Sequence, residues 1–359
     1  MRRVSGRMAD PPVQADTEKD RRTVANGIRR WLASGRVQSE AGGFCAWRDV
    51  ANDKLAFEYP ELTGYALSWL AGLSEPDERE IRAGRRAAEW LIRRLSVGDR
   101  SARTGWDSGA VYTFDLGMIS AGLISFGRLV DEPQLVEQGQ ATARQLARYV
   151  ERAEGLLAIV PDGPPSGRPP TWSTAGRPHL VKCVQALLLA DEYDAARRLS
   201  IQAVDAQDDG GRFQTQPNGS IVMLHPHFYA VEGLWMLASA CNDDGLLERA
   251  RAATRWAWEH QLPSGGMPRW ATGHEVGPEQ VDVTGQAIRA AVLLHVDVPR
   301  LDSAVARLAA LAQEDGHHGY ALIYEPASAH LNAWATMFAG QAIGVAIDGP
   351  RAVTWTNFV

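Results

Sequence analysis

Six stretches of this chain are apolar almost all round, and they return every ~50–60 residues, the kind of period that marks a repeat architecture. They span 61–73, 114–129, 179–193, 227–240, 282–295 and 330–346. A helix without a polar face has to be covered on every side. Six stretches of the opposite character precede or separate them: 24–35, 80–95, 133–153, 193–206, 246–261 and 299–314. Each has one apolar stripe and one charged face. In 80–95, Ile81, Gly84, Ala88, Leu91, Ile92 and Leu95 follow the helical i, i+3, i+4 spacing while arginines fill the other face. The order outer, inner, outer, inner, six times over, predicts an all-α fold with amphipathic helices around buried ones: an (α/α)6 toroid of six helical hairpins. β signals are weak. The stretches 155–160 and 211–224 are expected to form short hairpins, the second around Pro217-Asn218-Gly219-Ser220. The loop 162–178 is rich in Pro and Gly and too long for a tight connection, and such loops often carry function.

Composition narrows the function classes. The formal net charge is −6 and the pI about 5.9, which argues against a nucleic-acid partner, because phosphate binding needs a basic face. The three cysteines, Cys45, Cys183 and Cys241, are odd in number and far apart, so they form neither a disulfide framework nor a zinc site. The basic first ten residues are not followed by an apolar stretch, so they do not read as a secretory signal. No run approaches the ~18 apolar residues of a membrane span. A cytoplasmic protein is expected, with residues 1–16 a disordered tail, Met8 a possible start, and 17–359 one domain. Neither a metal nor a cofactor is expected, and the oligomeric state is left open.

Each inner stretch opens on a polar residue: Glu61 or Thr63, Asp115, His179, His227, Asp282 and Asn332. Helix N-termini carry unsatisfied N–H groups and partial positive charge. In a ring whose inner helices start at one rim, the loops before them line a funnel. Those loops hold most of the chain's chemistry. The first offers Trp47, Arg48, Asp49, Glu58, Tyr59, Glu61 and Tyr65; the second Trp106, Asp107, Tyr112 and Asp115; the third Trp172, Arg177, His179 and Lys182. The fourth offers Arg212, His225, His227, Tyr229 and Glu232; the fifth Arg269, Trp270, Glu279, Asp282 and Gln286; the sixth Tyr320, Tyr324, Glu325, His330, Asn332 and Trp334. Aromatic faces beside carboxylates and arginines suit a sugar, whose C–H face stacks on rings while its hydroxyls take hydrogen bonds. The chain's twelve tryptophans also serve a plainer purpose, filling the wide mouth of a ring. Asp115, Asp282 and Asn332 are equally placed to cap helices.

The segments 57–70, 111–123 and 330–343 resemble motifs of (α/α)6 proteins that act on carbohydrates, nearest the C-terminal helical domain of glucuronyl C5-epimerases and related polysaccharide-biosynthesis proteins. Six pairs close a ring in such toroids, and closure is expected here on that resemblance. The resemblance also implies epimerisation beside a carboxylate, which needs a base on one face, an acid on the other and cations that stabilise an enediolate. A Glu-Tyr pair and a distant tyrosine are functional in that family; Glu58-Tyr59 and Tyr324 match them in type. The family's N-terminal β-domain has no counterpart here, which counts against a heparan-like polymer. The expected catalytic set is Glu58, Tyr59, Glu61, Asp115, His227, Tyr324 and Glu325. The expected substrate-binding set is Trp47, Tyr65, Trp106, Tyr112, Trp172, Arg177, His179, Arg212, His225, Trp270, Asp282, His330, Asn332 and Trp334, with Arg177, Lys182 and Arg212 as clamps for an acidic group. His225 and His227, two apart, are expected on one side of an extended segment.

Other chemistries fit the same pattern. Hydrolysis or elimination on a similar substrate would use paired carboxylates, roughly 6.5–9.5 Å apart for an inverting hydrolase, and Asp115 with Asp282 or Glu325 would supply them. Terpenoid cyclases share the toroid, but no DxDD motif occurs. The ligand sets of zinc prenyltransferases and lanthionine cyclases are poorly matched or missing. A binding scaffold with a concave face is the non-enzymatic alternative. The preferred expectation is an isomerase acting on a small molecule or oligosaccharide of the uronate or sugar-like type.

Overall fold

The computed structural model describes residues 18–96, 111–152, 155–160, 171–216 and 219–359. The expected tail, Trp106, Asp107 and most of the loop 162–178 lie outside the described residues.

The helices come in six pairs. They are α1 (Glu18–Ala33) and α2 (Pro60–Ala71), α3 (Glu78–Ser96) and α4 (Thr113–Leu129), then α5 (Pro133–Arg152) and a composite inner element. That element consists of α6 (Trp172–Ala175), a 3-10 turn at Pro178–Cys183, and α7 (Val184–Leu189). The last three pairs are α8 (Tyr193–Val204) with α9 (Leu224–Cys241), α10 (Asp244–Trp258) with α11 (Val281–Leu293), and α12 (Leu301–Leu311) with α13 (Ala333–Asp348). The second member of each pair touches the next around the ring, and α13 touches α2, so the circle closes. The first members form the outer wall. The chain is the (α/α)6 toroid that its alternation implies.

The burial pattern follows the sequence pattern. On α4 every residue from Asp115 to Gly127 is buried. On α3 the buried side is Ala83, Gly84, Ala87, Ala88, Trp90 and Leu91, while its arginines face out. Small residues let inner helices meet backbone to backbone. A Cβ on Gly122 would stand 2.2 Å from the Gly64 carbonyl oxygen, and one on Gly64 would stand 2.5 Å from that of Met118. Only glycine fits on either side of the α2–α4 contact.

Three elements depart from expectation. The inner helix expected over 179–193 begins as a 3-10 turn behind Pro178 and ends at Leu189. The outer helix expected to run to 314 stops at Leu311, because residues 312–314 leave it as a strand. Among the described residues, which leave out the Pro217-Asn218 turn, the strands of the expected local hairpins pair instead between neighbouring loops. β3 (Val111–Tyr112) pairs with β4 (Ile159–Val160), and β5 (Val222–Met223) pairs with β6 (Trp270–Ala271). The largest sheet runs in the order β2-β1-β9-β8-β7. In it β1 (Trp47–Asp49) lies beside β2 (Lys54–Leu55) and antiparallel to β9 (His330–Asn332), which in turn pairs with β8 (Tyr320–Ile323) and so with β7 (Ala312–Glu314). The β1–β9 ladder stitches the first hairpin to the last.

The segment 350–359 closes the far end of the ring. Phe358 and Val359 are buried there. Gln185 donates to the carbonyls of Trp355 (3.0 Å) and Phe358 (2.9 Å), and Ser125 donates to that of Thr356 (2.7 Å).

Candidate active site in the ring cavity

The rim opposite that closure opens into a cavity of about 410 Å³, within the range of small-molecule sites. Its construction is close to sixfold. Each inner element delivers one polar side chain from its first turn or its cap: Glu61, Asp115, His179, His225, Asp282 and Asn332. Asn332 also caps α13, accepting from the Ala335 N–H at 2.9 Å. Asp282 accepts from the Val283 N–H at 2.9 Å with one oxygen, and its other oxygen stands 3.1 Å from Nδ1 of His225.

Aromatic walls fill the spaces between. Trp172 meets His179 and His225 edge-on, with ring centroids 5.3 and 5.6 Å away. Tyr229, one helical turn beyond His225, lies 4.3 Å from its ring. On the other side Trp47 stacks on His330 at 5.9 Å, and Tyr59 meets Trp334 edge-on at 5.1 Å. Tyr112, Phe114, Ala158, Ser173, Tyr324 and Ser328 complete the lining. The Tyr324 hydroxyl accepts from the Gln280 amide at 2.8 Å.

Burial sets the protonation states. His179 is 2% exposed, and desolvation, with His225 nearby, pushes its pKa down to about 3, so the ring is neutral at pH 7. Its Nδ1 has no hydrogen-bond partner, nor has Nδ1 of His330. Burial raises Tyr324 and Tyr229, the more so beside carboxylates, and keeps both hydroxyls protonated as donors.

Beneath the floor sits a buried charged cluster. Lys182 donates to Glu232 at 2.5 Å, and Arg289 donates to the other oxygen of Glu232 at 2.6 Å. Arg289 also bonds Gln341 at 2.9 Å and the main-chain oxygen of Val359. Rings of Tyr65, Tyr229, Phe338 and Phe358 surround the ammonium of Lys182, whose pKa burial lowers to about 8.

Of the residues expected from the sequence to be catalytic or substrate-binding, thirteen line this one cavity: Trp47, Tyr59, Glu61, Tyr112, Asp115, Trp172, His179, His225, Asp282, Tyr324, His330, Asn332 and Trp334. The others lie elsewhere, each for a local reason. Glu58 and Tyr59 sit on extended backbone, where neighbours point opposite ways, so Tyr59 enters the cavity while Glu58 accepts from Ser39. His225 and His227 are on α9 rather than an extended segment, and two helical positions are ~200° apart. His227 therefore faces the outer wall, with Nε2 3.0 Å from the Ala253 carbonyl. Tyr65 lies under the floor against Lys182. Glu325 pairs with Arg269 (3.5 Å), and Trp270 lies outside the lining on β6. The three expected clamps are also elsewhere: Arg212 pairs with Asp208 at 2.9 Å, Arg177 lines a separate depression between α5 and α8, and Lys182 is below. Among the described residues no Lys or Arg lines the cavity. Tyr229, named with the fourth loop but given no role, stands four positions after His225, and Phe114 adjoins Asp115; Ala158, Ser173 and Ser328 carried no signal.

No family model matches the sequence, and no curated protein matches it. Solved structures do match the fold. The unsaturated glucuronyl hydrolase of Bacillus sp. GL1 superposes with a TM-score of 0.68 at 14% identity, over 93% of this chain and 98% of that one. Cellobiose 2-epimerase of Spirochaeta thermophila gives 0.68 at 13% identity, over 94% and 99%. A D-mannose isomerase gives 0.66 at 12%, over 94% and 99%. At such identities the likeness establishes the (α/α)6 fold.

Proposed function

We propose that this protein is a carbohydrate-modifying enzyme that moves a proton at the carbon next to a sugar's carbonyl, as a 2-epimerase or an aldose–ketose isomerase. The observation that carries the reading is the placement of His179 and His330. They come from the third and sixth loops, half a turn apart in a ring of six, and both side chains line one cavity. Inversion at carbon needs a base on one face and an acid on the other. Two imidazoles across a cavity fit those roles, with neutral His179 as the base.

On an open-chain aldose, one neutral imidazole removes the C2 proton and the C1 carbonyl oxygen gains the charge of an enediolate. On this reading the hydroxyls of Tyr59 and Tyr324 donate to that oxygen. The opposite imidazole, entering the step as the imidazolium, returns a proton to C2 and inverts the centre; return of a proton to C1 gives the ketose. The names of the superposed enzymes, two of which act on cellobiose and mannose, support this class.

The test is incubation in D₂O with glucose, mannose, cellobiose and glucuronate. One solvent deuteron should enter C2 of a neutral sugar. His179→Gln and His330→Gln should each cut epimer formation by about 100-fold or more, a usual contribution for general acid–base groups. One of them should still exchange the C2 proton of one epimer, because the remaining imidazole serves that face. Absence of exchange with all four sugars refutes the reading. A second reading, hydrolysis, is favoured by the carboxylates Asp115, Glu61 and Asp282 in the same cavity. Release of reducing ends from an oligosaccharide without exchange would select it.

A further inference from the structure

His225 takes no part in the transfer at C1 and C2, yet its ring is held on several sides. Oδ2 of Asp282 stands 3.1 Å from its Nδ1, a buried nitrogen. Tyr229 meets the ring edge-on at 4.3 Å, Trp172 meets it at 5.6 Å, and Phe338 stacks on it at 6.1 Å. The side chain is 13% exposed and lines the cavity. Support continues below it. His225, Tyr229 and Glu232 are spaced four and three apart on one face of α9, and Asp282, Gln286 and Arg289 repeat that spacing on α11, which packs against it. The rungs match in order. Asp282 meets His225, the Gln286 amide donates to the His225 carbonyl (3.5 Å) and to Glu232 (3.4 Å), and Arg289 donates to Glu232 at 2.6 Å. This ladder locks two inner helices in register and leaves the His225 ring little freedom to turn.

A carboxylate beside Nδ1 favours the tautomer with its proton there. The nitrogen left for a ligand is then Nε2, which carries the lone pair. Transfer at C2 needs an open-chain aldose, whereas hexoses in water are nearly all closed as pyranoses. Opening the ring takes a group that removes the O1–H proton and delivers a proton to O5. Resting on the reading of this cavity as an aldose site, we propose that His225, positioned by Asp282, opens the pyranose ring, and that the protein is therefore also a mutarotase. Nε2 takes the proton of the C1 hydroxyl. The O1 electron pair forms the carbonyl as the C1–O5 bond breaks, and the imidazolium passes its proton to O5. O1 and O5 share one carbon, so one imidazole serves both and ends the step as it began. Asp282 balances the charge that the ring carries in between. Closure on the other face of the carbonyl gives the other anomer.

Proton NMR of the anomeric signals, after α-D-glucose or α-D-mannose is dissolved with the full chain, tests this. Wild type should bring at least one sugar to its anomeric equilibrium faster than buffer alone, whatever happens at C2. His225→Gln should cut that rate by about 100-fold, a usual contribution of one acid–base group, and Asp282→Asn by about tenfold or more. Both variants should also slow deuterium entry at C2, and by about tenfold or more further for hexoses than for D-glyceraldehyde, whose chain is too short to close a ring. A side chain that only props up the fold would slow both alike. The wild-type rate decides alone if the variants do not fold. No acceleration by wild type, wild-type mutarotation in His225→Gln, or equal losses on hexose and triose overturns the inference. The two readings fail separately. Mutarotation without C2 exchange removes the proton transfer at C2 and leaves the ring-opening group; C2 exchange on hexoses without mutarotation does the reverse.

Discussion

His225 and His227 share a helix and face opposite ways. The first touches Asp282 and the cavity; the second is fully buried against Ala253 and Phe213. Burial lowers the pKa of His227 from 6.5 to about 4. Unfolded, that ring takes a proton near pH 6.5; folded, it waits until about 4. Between those values the unfolded chain holds one more proton, so stability is fully present above pH 6.5 and is lost as the pH falls toward 4. Urea titrations at a series of pH values should show His227→Gln losing stability less steeply than wild type across that window, by about 1.4 kcal/mol per pH unit. Equal slopes would refute the assignment. The polar residue opening each inner stretch was legible in sequence for five of six positions, because a first-turn residue next to an apolar run has nowhere to go but the rim. The sixth failed by two residues: α9 starts at Leu224, ahead of the apolar run, so His225 rather than His227 takes the first-turn place.

At the scale of elements, the α2–α4 contact sets a hard limit on size. Gly122→Ala should destabilise by about 1–3 kcal/mol or more, the cost of overpacking, since the new methyl meets the Gly64 carbonyl. Gly344→Ala on α13 meets nothing within 4 Å and should instead stabilise by up to about 1 kcal/mol through helix propensity. Denaturant midpoints of the two variants check both signs. Helix character and inside–outside position were readable from periodicity alone. The strands were not, since two-residue ladders such as β3–β4 and β5–β6 are made by loops far apart in sequence and carry no alternation of their own. The 3-10 start at Pro178–Cys183 escaped for a similar reason: its composition matches a helix, and only its packing under α9 tightens it.

The whole ring depends on both of its ends. The segment 350–359 supplies carbonyls to Gln185, Ser125 and Arg289 that no inner helix can offer. A chain cut after Thr354 should lose about 3–5 kcal/mol, because Arg289 stays buried with fewer partners. A thermal midpoint within a degree of the intact chain would contradict that role. Closure itself could be expected only from the count of six and the resemblance to known toroids. The register that achieves it, with Trp47 opposite Asn332 and Asp49 opposite His330, joins residues nearly the whole chain apart. That seam has a consequence for synthesis on the ribosome. Five hairpins can form as the chain emerges, but the flanks of α2 and α11 that α13 covers stay bare until the last hairpin arrives. A nascent chain stalled before residue 330 therefore presents two apolar edges with no internal partner, which makes it a client for chaperones and a seed for clumping between neighbouring polysomal chains.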